Sequence, residues 1–174
     1  LAAGEVTTVL GVPRLYRALY DGIEERTRAS RLGSVAFRCL LAISTAARRW
    51  MKLKLGRALF GPLHRRMGGR LRLLASGGSA LDRELAWKLL GLGWDLAEGY
   101  GLTETSPLIA FSTPEEYVPG AVGPPLETVQ VRIDREAASD AESAEDGRRP
   151  APTHGEITVK GPNVFAGYHQ LPDE

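Results

Sequence analysis

The spacing of hydrophobic and polar positions changes several times along the chain, and each change predicts an element. TTVLG opens as a β-rich run and turns at Gly11. Pro13 follows, suited to the first turn of a helix, where its missing N–H costs nothing. Leu15, Leu19 and Ile23, with Tyr16 and Tyr20, recur at helical spacing and predict a helix to about Thr27. The helical period returns over Ser34 to Phe60. Phe37, Leu41, Ser44, Ala47, Met51 and Leu55 line one side, and Arg38, Thr45, Arg49 and Lys52 another. A basic amphipathic helix of this kind either lies on a membrane surface or packs its apolar stripe on a core. The pattern leaves both open.

Gly61-Pro62 and Gly68-Gly69 punctuate the next stretch. RLRLLAS reads as a buried strand ending in the Gly77-Gly78 turn. Asp82 is a candidate N-cap for a helix over 83–90, RELAWKLL, which Gly91 and Gly93 are expected to end. WDLAEGYG is the following strand and its turn. Strand, glycine turn, helix and strand make the unit of a parallel sheet with crossovers. Ligands in such sheets sit beyond the carboxyl ends of the strands. Both glycine turns, GGSAL and GYGLTET, fall there, so two loops are expected to converge on one crevice.

After Pro107 the composition shifts. LIAFST reads as a strand, and TPEEYVPGAVGPPLE as an ordered loop or a linker. TVQVRID alternates as a half-buried strand does. REAASDAESAEDGRRPAP is acidic, small and turn-prone, a flexible surface loop. GEITVKGPNVFAGY is a strand followed by a turn. The expected fold is α/β. Residues 1–112 form part of a parallel sheet with helices, including the basic helical stretch 34–60. Residues 113–174 form a smaller antiparallel β subdomain carrying an acidic insertion over 135–153.

Of the 174 residues, 43% are apolar and 25% charged, a globular balance that argues against wholesale disorder. No run approaches the roughly 18 apolar residues that span a bilayer. The N-terminus lacks the basic n-region of a signal peptide. The single cysteine, Cys39, excludes an internal disulfide and a cysteine-based zinc cluster. A cytoplasmic setting is therefore the default. No initiator methionine is present, and the chain stops at LPDE after strand-like and turn-like sequence. The expectation is a segment of a longer protein. The net charge of +1 conceals an asymmetry: from Arg26 to Arg72 there are thirteen Lys or Arg and no Asp or Glu. Such a run attracts an anionic partner, or is balanced by acidic surface elsewhere.

No GxxxxGK[ST] phosphate loop and no complete GxGxxG fingerprint occurs. Ser79 lacks the frame of a nucleophile elbow. His64, His154 and His169 are far apart, without metal spacing, and read as surface residues. GYGLTET carries more. Its tight turn offers backbone N–H groups, and Thr103 and Thr105 offer hydroxyls, all suited to phosphate oxygens. Glu104 fits beside a phosphate only with a divalent cation between them. Tyr100 can lay its ring on a flat base. The stretch asks for a nucleotide with Mg²⁺. The alternative is a helix N-terminus with Thr103 as cap and Glu104 and Thr105 in the first turn.

GYGLTET, with GGSAL upstream and GEITVKGPNVFAGY downstream, resembles the AMP-binding adenylate-forming superfamily. VLGVPRLYRALYDGI, and the long basic helical stretch before RLRLLASGGSAL, resemble its long-chain acyl-CoA synthetase branch. The resemblance covers nearly the whole chain. It implies a ligase that joins a fatty acid to ATP, giving acyl-adenylate and pyrophosphate, and then passes the acyl group to coenzyme A. It also implies roles. The adenine-contacting loop falls on Gly78, Ser79 and Ala80, where the family usually has alanine then proline after the paired glycines. The adenine-stacking aromatic falls on Tyr100, the α-phosphate-binding threonine on Thr103 and the magnesium ligand on Glu104. Thr103 and Glu104 are thus the implied catalytic pair. Glu98, Gly99 and Gly101 would line the same nucleotide wall. The acyl chain would run past Gly77, Gly78 and Gly101, where missing side chains leave room.

The family's Ser/Thr/Gly-rich phosphate loop, ribose-binding aspartate and C-terminal lysine have no counterpart in these residues. Alone, the chain is expected to be inactive. Implied partners are fatty acid, ATP, coenzyme A and the remaining N- and C-terminal parts of its own chain; peripheral membrane contact through 34–60 is a further expectation, and nucleic acid is not one. Three rivals stand beside this reading: an adenylating enzyme that loads a carrier protein, a ligase for aryl or short-chain acids, against which the resemblance before residue 75 leans, and a non-catalytic membrane-surface protein that keeps the fold.

Overall fold

A computed structural model describes residues 5–28, 30–134 and 155–169. The acidic insertion expected over 135–153, His154 and the LPDE end lie outside them. The chain divides into two compact units. The first runs up to Tyr100 and again over Phe111–Pro124; the second takes Gly101–Ala110 and the described residues from Pro125 onward.

In the first unit, β1 (Thr8–Gly11), β2 (Leu73–Ser76) and β3 (Asp95–Tyr100) lie side by side and parallel, with Gly11 opposite Ser76 and Ser76 opposite Glu98. β4 (Ala110–Ser112) follows beside β3. This is the α/β sheet that the strand, turn and helix order predicts. α1 (Pro13–Thr27) starts on Pro13 and ends where the hydrophobic spacing stops. Tyr16, fully buried, pins it to the sheet by donating to Ala75 O at 2.6 Å and Val9 O at 3.0 Å. Burial pushes that phenol up to about 12, against a smaller opposing hydrogen bond at the Gly11 backbone.

The helix expected over 34–60 is shorter. α2 spans Arg31–Met51 and stops where Lys52 turns left-handed at φ 56°. Two short helices follow, α3 (Gly56–Leu59) and α4 (Gly61–Arg66). Of the predicted stripe, Phe37, Leu41, Ser44 and Ala47 are buried while Met51 and Leu55 are exposed. The stripe therefore serves the core, and α2 packs on α5 (Arg83–Leu92). Asp82 caps α5 as expected, accepting from Leu85 N at 2.8 Å. Gly91 does not end that helix. It lies inside α5 because α2 crosses there: Ser44 Oγ donates to Gly91 O at 2.7 Å, and a Cβ on Gly91 would stand 2.1 Å from Thr45 Oγ1. Gly93, at φ 102°, makes the left-handed end. Behind these helices Leu74, Leu85, Leu89, Leu92, Trp94 and Leu96 are almost wholly buried.

Part of the basic run is neutralised within the fold. Asp95 pairs with Arg48 at 2.7 Å and Lys54 at 2.8 Å. Burial works to raise that carboxyl and is outweighed by the two cations, which hold it below its ordinary range. Among the described residues no helix is long and apolar enough to cross a membrane.

His64, expected at the surface, is buried at 6% exposure. Its Nε2 lies 2.8 Å from Leu92 O, and its ring stands edge-on to Trp94. Burial lowers its pKa, and Arg57 adds to this against the Leu92 hydrogen bond. The folded state thus keeps the ring neutral, while an unfolded chain protonates it near about 6.5. Stability present above that value falls as pH drops below it, and the loss is complete below the folded pKa. Protection factors of the α4 and α5 amides in the full-length protein, corrected for the intrinsic slowing of exchange with falling pH, should drop as pH falls through about 6.5. His64→Gln, which keeps a donor for Leu92 O, should flatten that dependence; an unchanged slope would assign it to another group.

The second unit contains β5 (Gln130–Asp134), paired antiparallel with β6 (Glu156–Lys160), Ile133 facing Ile157. These are the two alternating strands of the sequence. It also contains a one-turn 3₁₀ helix over Thr103–Thr105.

Candidate functional site

In the first unit the loop after β2 and the end of β3 lie side by side. A Cβ on Gly77 would stand 3.7 Å from Gly99 O. Gly78 has φ 83°, and a Cβ there would meet only Val12 Cγ1, at 3.8 Å. Gly78, Ser79 and Ala80 are exposed, and Tyr100 is half-buried. This is an accessible run of main chain beside an aromatic ring.

Glu98 lies beneath that loop, 3% exposed, with its carboxylate already engaged. It accepts from Leu81 N at 3.0 Å and from the Tyr117 hydroxyl at 3.3 Å, while Glu98 N donates to Ser112 Oγ at 2.9 Å. Burial first, then the Glu98 charge, pushes the Tyr117 phenol well above its usual range. Glu98 therefore anchors the far end of GGSAL. Glu98→Ala would strand the Leu81 amide and the Tyr117 hydroxyl, each at a cost of about 1–3 kcal/mol. Faster hydrogen exchange at residues 77–81 is the expected sign, and unchanged protection would remove the anchoring role.

In the second unit the two threonines of GYGLTET separate. Thr105 is 3% exposed; its hydroxyl accepts from Leu102 N and donates to Leu102 O, both at 2.9 Å. It holds the turn's shape. Thr103 is exposed, and its hydroxyl makes no hydrogen bond among the described residues. It caps no helix, since the residue that leads the turn is Leu102. Glu104 accepts from the Tyr168 hydroxyl at 2.6 Å. That bond, helped by Glu104's own amide, holds its carboxyl below the usual range and raises the Tyr168 phenol.

The turn is clamped by the segment after β6. Phe165 N donates to Glu104 O at 2.8 Å. Asn163 Nδ2 donates to Thr105 O at 2.9 Å and to Leu108 O at 2.8 Å. The Phe165 and Tyr168 rings meet edge-on, 4.8 Å between centroids. Gly101 permits a close approach: a Cβ there would stand 1.8 Å from Pro107 O. The space freed by that glycine is filled by the chain's own backbone.

The profile of the AMP-binding enzyme family matches residues 1–169. The chain belongs to that family. It is 34% identical, over 98% of its length, to long chain acyl-CoA synthetase 6, peroxisomal, of Arabidopsis thaliana, and covers 24% of that protein. It is 32% identical, over 94%, to long-chain-fatty-acid–CoA ligase 6 of Rattus norvegicus, and covers 23% of it. A solved malonyl-CoA ligase, a ternary product complex with methylmalonyl-CoA and AMP bound, aligns over 97% of the chain and 27% of its own at 26% identity and a TM-score of 0.54. The chain spans about a quarter of the length of the curated relatives it matches.

Within this member of the AMP-binding enzyme family, Asn163, Phe165, Tyr168 and Tyr117 are the contributors that sequence reasoning left without a role. Asn and Tyr donors in a Gly/Pro turn were the available signal for two of them. Among the described residues no group of three or more His, Cys, Asp or Glu side chains gathers. One carboxylate with acceptor positions to spare does suit Mg²⁺, which takes one or two carboxylates and fills its shell with phosphate oxygens and water.

Proposed function

We propose that this chain is the middle part of an ATP-dependent ligase that activates a long-chain fatty acid and passes the acyl group to coenzyme A. The observation that carries the reading is the pair Thr103 and Glu104, one hydroxyl unengaged and one carboxylate ionised, on a turn fixed from outside by Asn163, Phe165 and Tyr168. Long-chain relatives matched over nearly the whole chain support the substrate class.

Each residue then has a task. Main chain at Gly78, Ser79 and Ala80 meets the adenine edge, and Tyr100 stacks on its face, with Gly99 leaving the approach clear. Gly77 and Gly78 leave room for the acyl chain. The Thr103 hydroxyl donates to an α-phosphate oxygen, worth most as charge builds there. Glu104 would hold a Mg²⁺ that neutralises phosphate charge. Tyr168 keeps the Glu104 carboxylate aimed and ionised. The acid's carboxylate oxygen attacks the α-phosphorus and pyrophosphate leaves; the coenzyme A thiol then attacks the acyl carbonyl and AMP leaves.

The test uses the full-length protein containing this chain: acid-dependent ATP–pyrophosphate exchange and acyl-CoA formation with palmitate, acetate, benzoate and malonate. Palmitate-dependent exchange with palmitoyl-CoA as product is expected. Exchange without acyl-CoA would point to a carrier-protein thiol as acceptor. Preference for malonate would replace the substrate class. No exchange with any acid would overturn the reading and leave a non-catalytic protein that keeps the fold.

A further inference from the structure

The first unit contains a cavity of about 540 Å³ that touches none of the loops described above. It lies among the later part of α1, the earlier part of α2 and the α3–α4 segment. Ile23, Phe37, Leu40, Phe60, Leu63 and Met67 supply its apolar wall. Ile23, Phe37 and Phe60 also belong to the buried core, so the floor is built by packing that cannot collapse into the space without repacking the unit. Arg26 and Arg66 stand in the lining, both exposed, and no carboxylate does. Neither arginine makes an ion pair or hydrogen bond among the described residues.

Its place in the unit separates it from the glycine loops. α1 leaves the carboxyl end of β1 and runs about 22 Å; the cavity begins only at Leu19 and extends to Thr27. Its other wall, Leu59 to Met67, precedes β2. The cavity therefore lies toward the amino ends of the strands, whereas Gly77 and Gly99 lie at carboxyl ends, where sheets of this type react their ligands.

A concave, mostly apolar space of this size with a few polar groups is the usual form of a small-molecule site. The polar groups here are two guanidiniums, which take a carboxylate through paired N–H donors. We propose that this cavity binds a fatty acid anion as a second acyl site, its hydrocarbon in the apolar trough and its carboxylate on Arg26 and Arg66. An acid held there is not positioned to be consumed. The inference goes beyond the proposed reaction and does not depend on it.

Gly22 provides a clean probe. It lines the cavity, and a Cβ added there meets nothing within 4 Å. Gly22→Leu would fill the space while replacing a poor helix former in α1 by a better one. The experiment is palmitate binding by calorimetry to the full-length protein, with and without a saturating non-hydrolysable palmitoyl-adenylate analogue. A photoreactive palmitate maps the contact. Binding that persists beside the analogue is expected, with cross-links between residues 19 and 67. Arg26→Glu with Arg66→Glu should weaken it roughly tenfold or more, as loss of charge-assisted hydrogen bonds does. Hexadecanol should bind more weakly than palmitate, and Gly22→Leu should abolish the site. If the analogue does not bind, the adenylation reading fails, and the arginine and Gly22 variants still decide this one. No palmitate bound beside a bound analogue, affinity unchanged by both variants, or cross-links confined to residues 77–108 would each overturn the second site. So would a cavity closed by another segment of the longer chain, seen as Gly22 inaccessible to labelling as Gly22→Cys.

Discussion

Glu104→Ala in the full-length protein is expected to lower palmitate-dependent ATP–pyrophosphate exchange about 10²–10³-fold, the usual effect of removing a group that stabilises developing transition-state charge. The turn should survive the change. Its shape rests on Thr105 with Leu102, on Asn163 and on the Phe165 amide, none of which uses the Glu104 side chain. Tyr168→Phe should produce a smaller loss of roughly 10–100-fold, the range for partners that orient a metal ligand. The two variants should also differ in kind. Without the Tyr168 hydroxyl the carboxylate remains but wanders, so raising Mg²⁺ should recover much of the rate. Glu104→Ala should not recover at any Mg²⁺ concentration. Mn²⁺ binding in the presence of ATP, followed by electron paramagnetic resonance, gives a readout apart from turnover. Thr103→Val should resemble Glu104→Ala in rate without loss of stability, while Thr105→Val should lose stability first. A Glu104→Ala protein that keeps a third or more of its exchange rate would end the carboxylate assignment.

The contrast between the two threonines shows where sequence reading stops. They are two positions apart, chemically identical, and equally able to donate. Only the fold spends one hydroxyl on Leu102 and leaves the other unengaged. What was legible was local. α1, β2, β3 and the β5–β6 pair follow from hydrophobic period and turn residues, which act within a few positions. What was not legible was set at long range. α2 stops at Met51, where Lys52 turns left-handed, although the helical period continues, and beyond that turn Gly56 lets main chain come within about 2.4 Å of where its Cβ would be, at Gly93 N. Gly91 reads as a helix breaker and is a helix-crossing point. His64 reads as surface because a lone histidine carries no periodic signal, yet Leu92 O supplies its partner across 28 residues. The Tyr168–Glu104 bond spans 64 residues, so the two motifs could be quoted side by side without their contact being visible.

Gly101→Ala is expected to be the most damaging single methyl group in the second unit. The added Cβ would stand 1.8 Å from Pro107 O, 2.7 Å from Pro107 C and 2.9 Å from Leu108 Cα. All three are main-chain atoms, so no rotamer change relieves the overlap. The opposing segment is also held: Leu108 O accepts from Asn163, and Ile109 O accepts from Leu126 N at 2.9 Å. Moving it away breaks those bonds, and moving Gly101 displaces the Thr103–Thr105 turn. The cost should reach or exceed the upper end of the ~1–3 kcal/mol typical of overpacking. Gly77→Ala is the matched comparison, because its Cβ would meet Gly99 O at an ordinary 3.7 Å; its effect on stability should stay within about 0.5 kcal/mol. Hydrogen exchange at residues 102–108 and 163–168 should rise in the Gly101 variant alone, and adenylation should fall with it whichever acid is supplied. A glycine kept only to make room for an acyl chain would behave differently: Gly101→Ala would leave protection intact and lower the rate for palmitate far more than for a short acid. The acid dependence of that one variant therefore separates a glycine that admits backbone from a glycine that admits substrate.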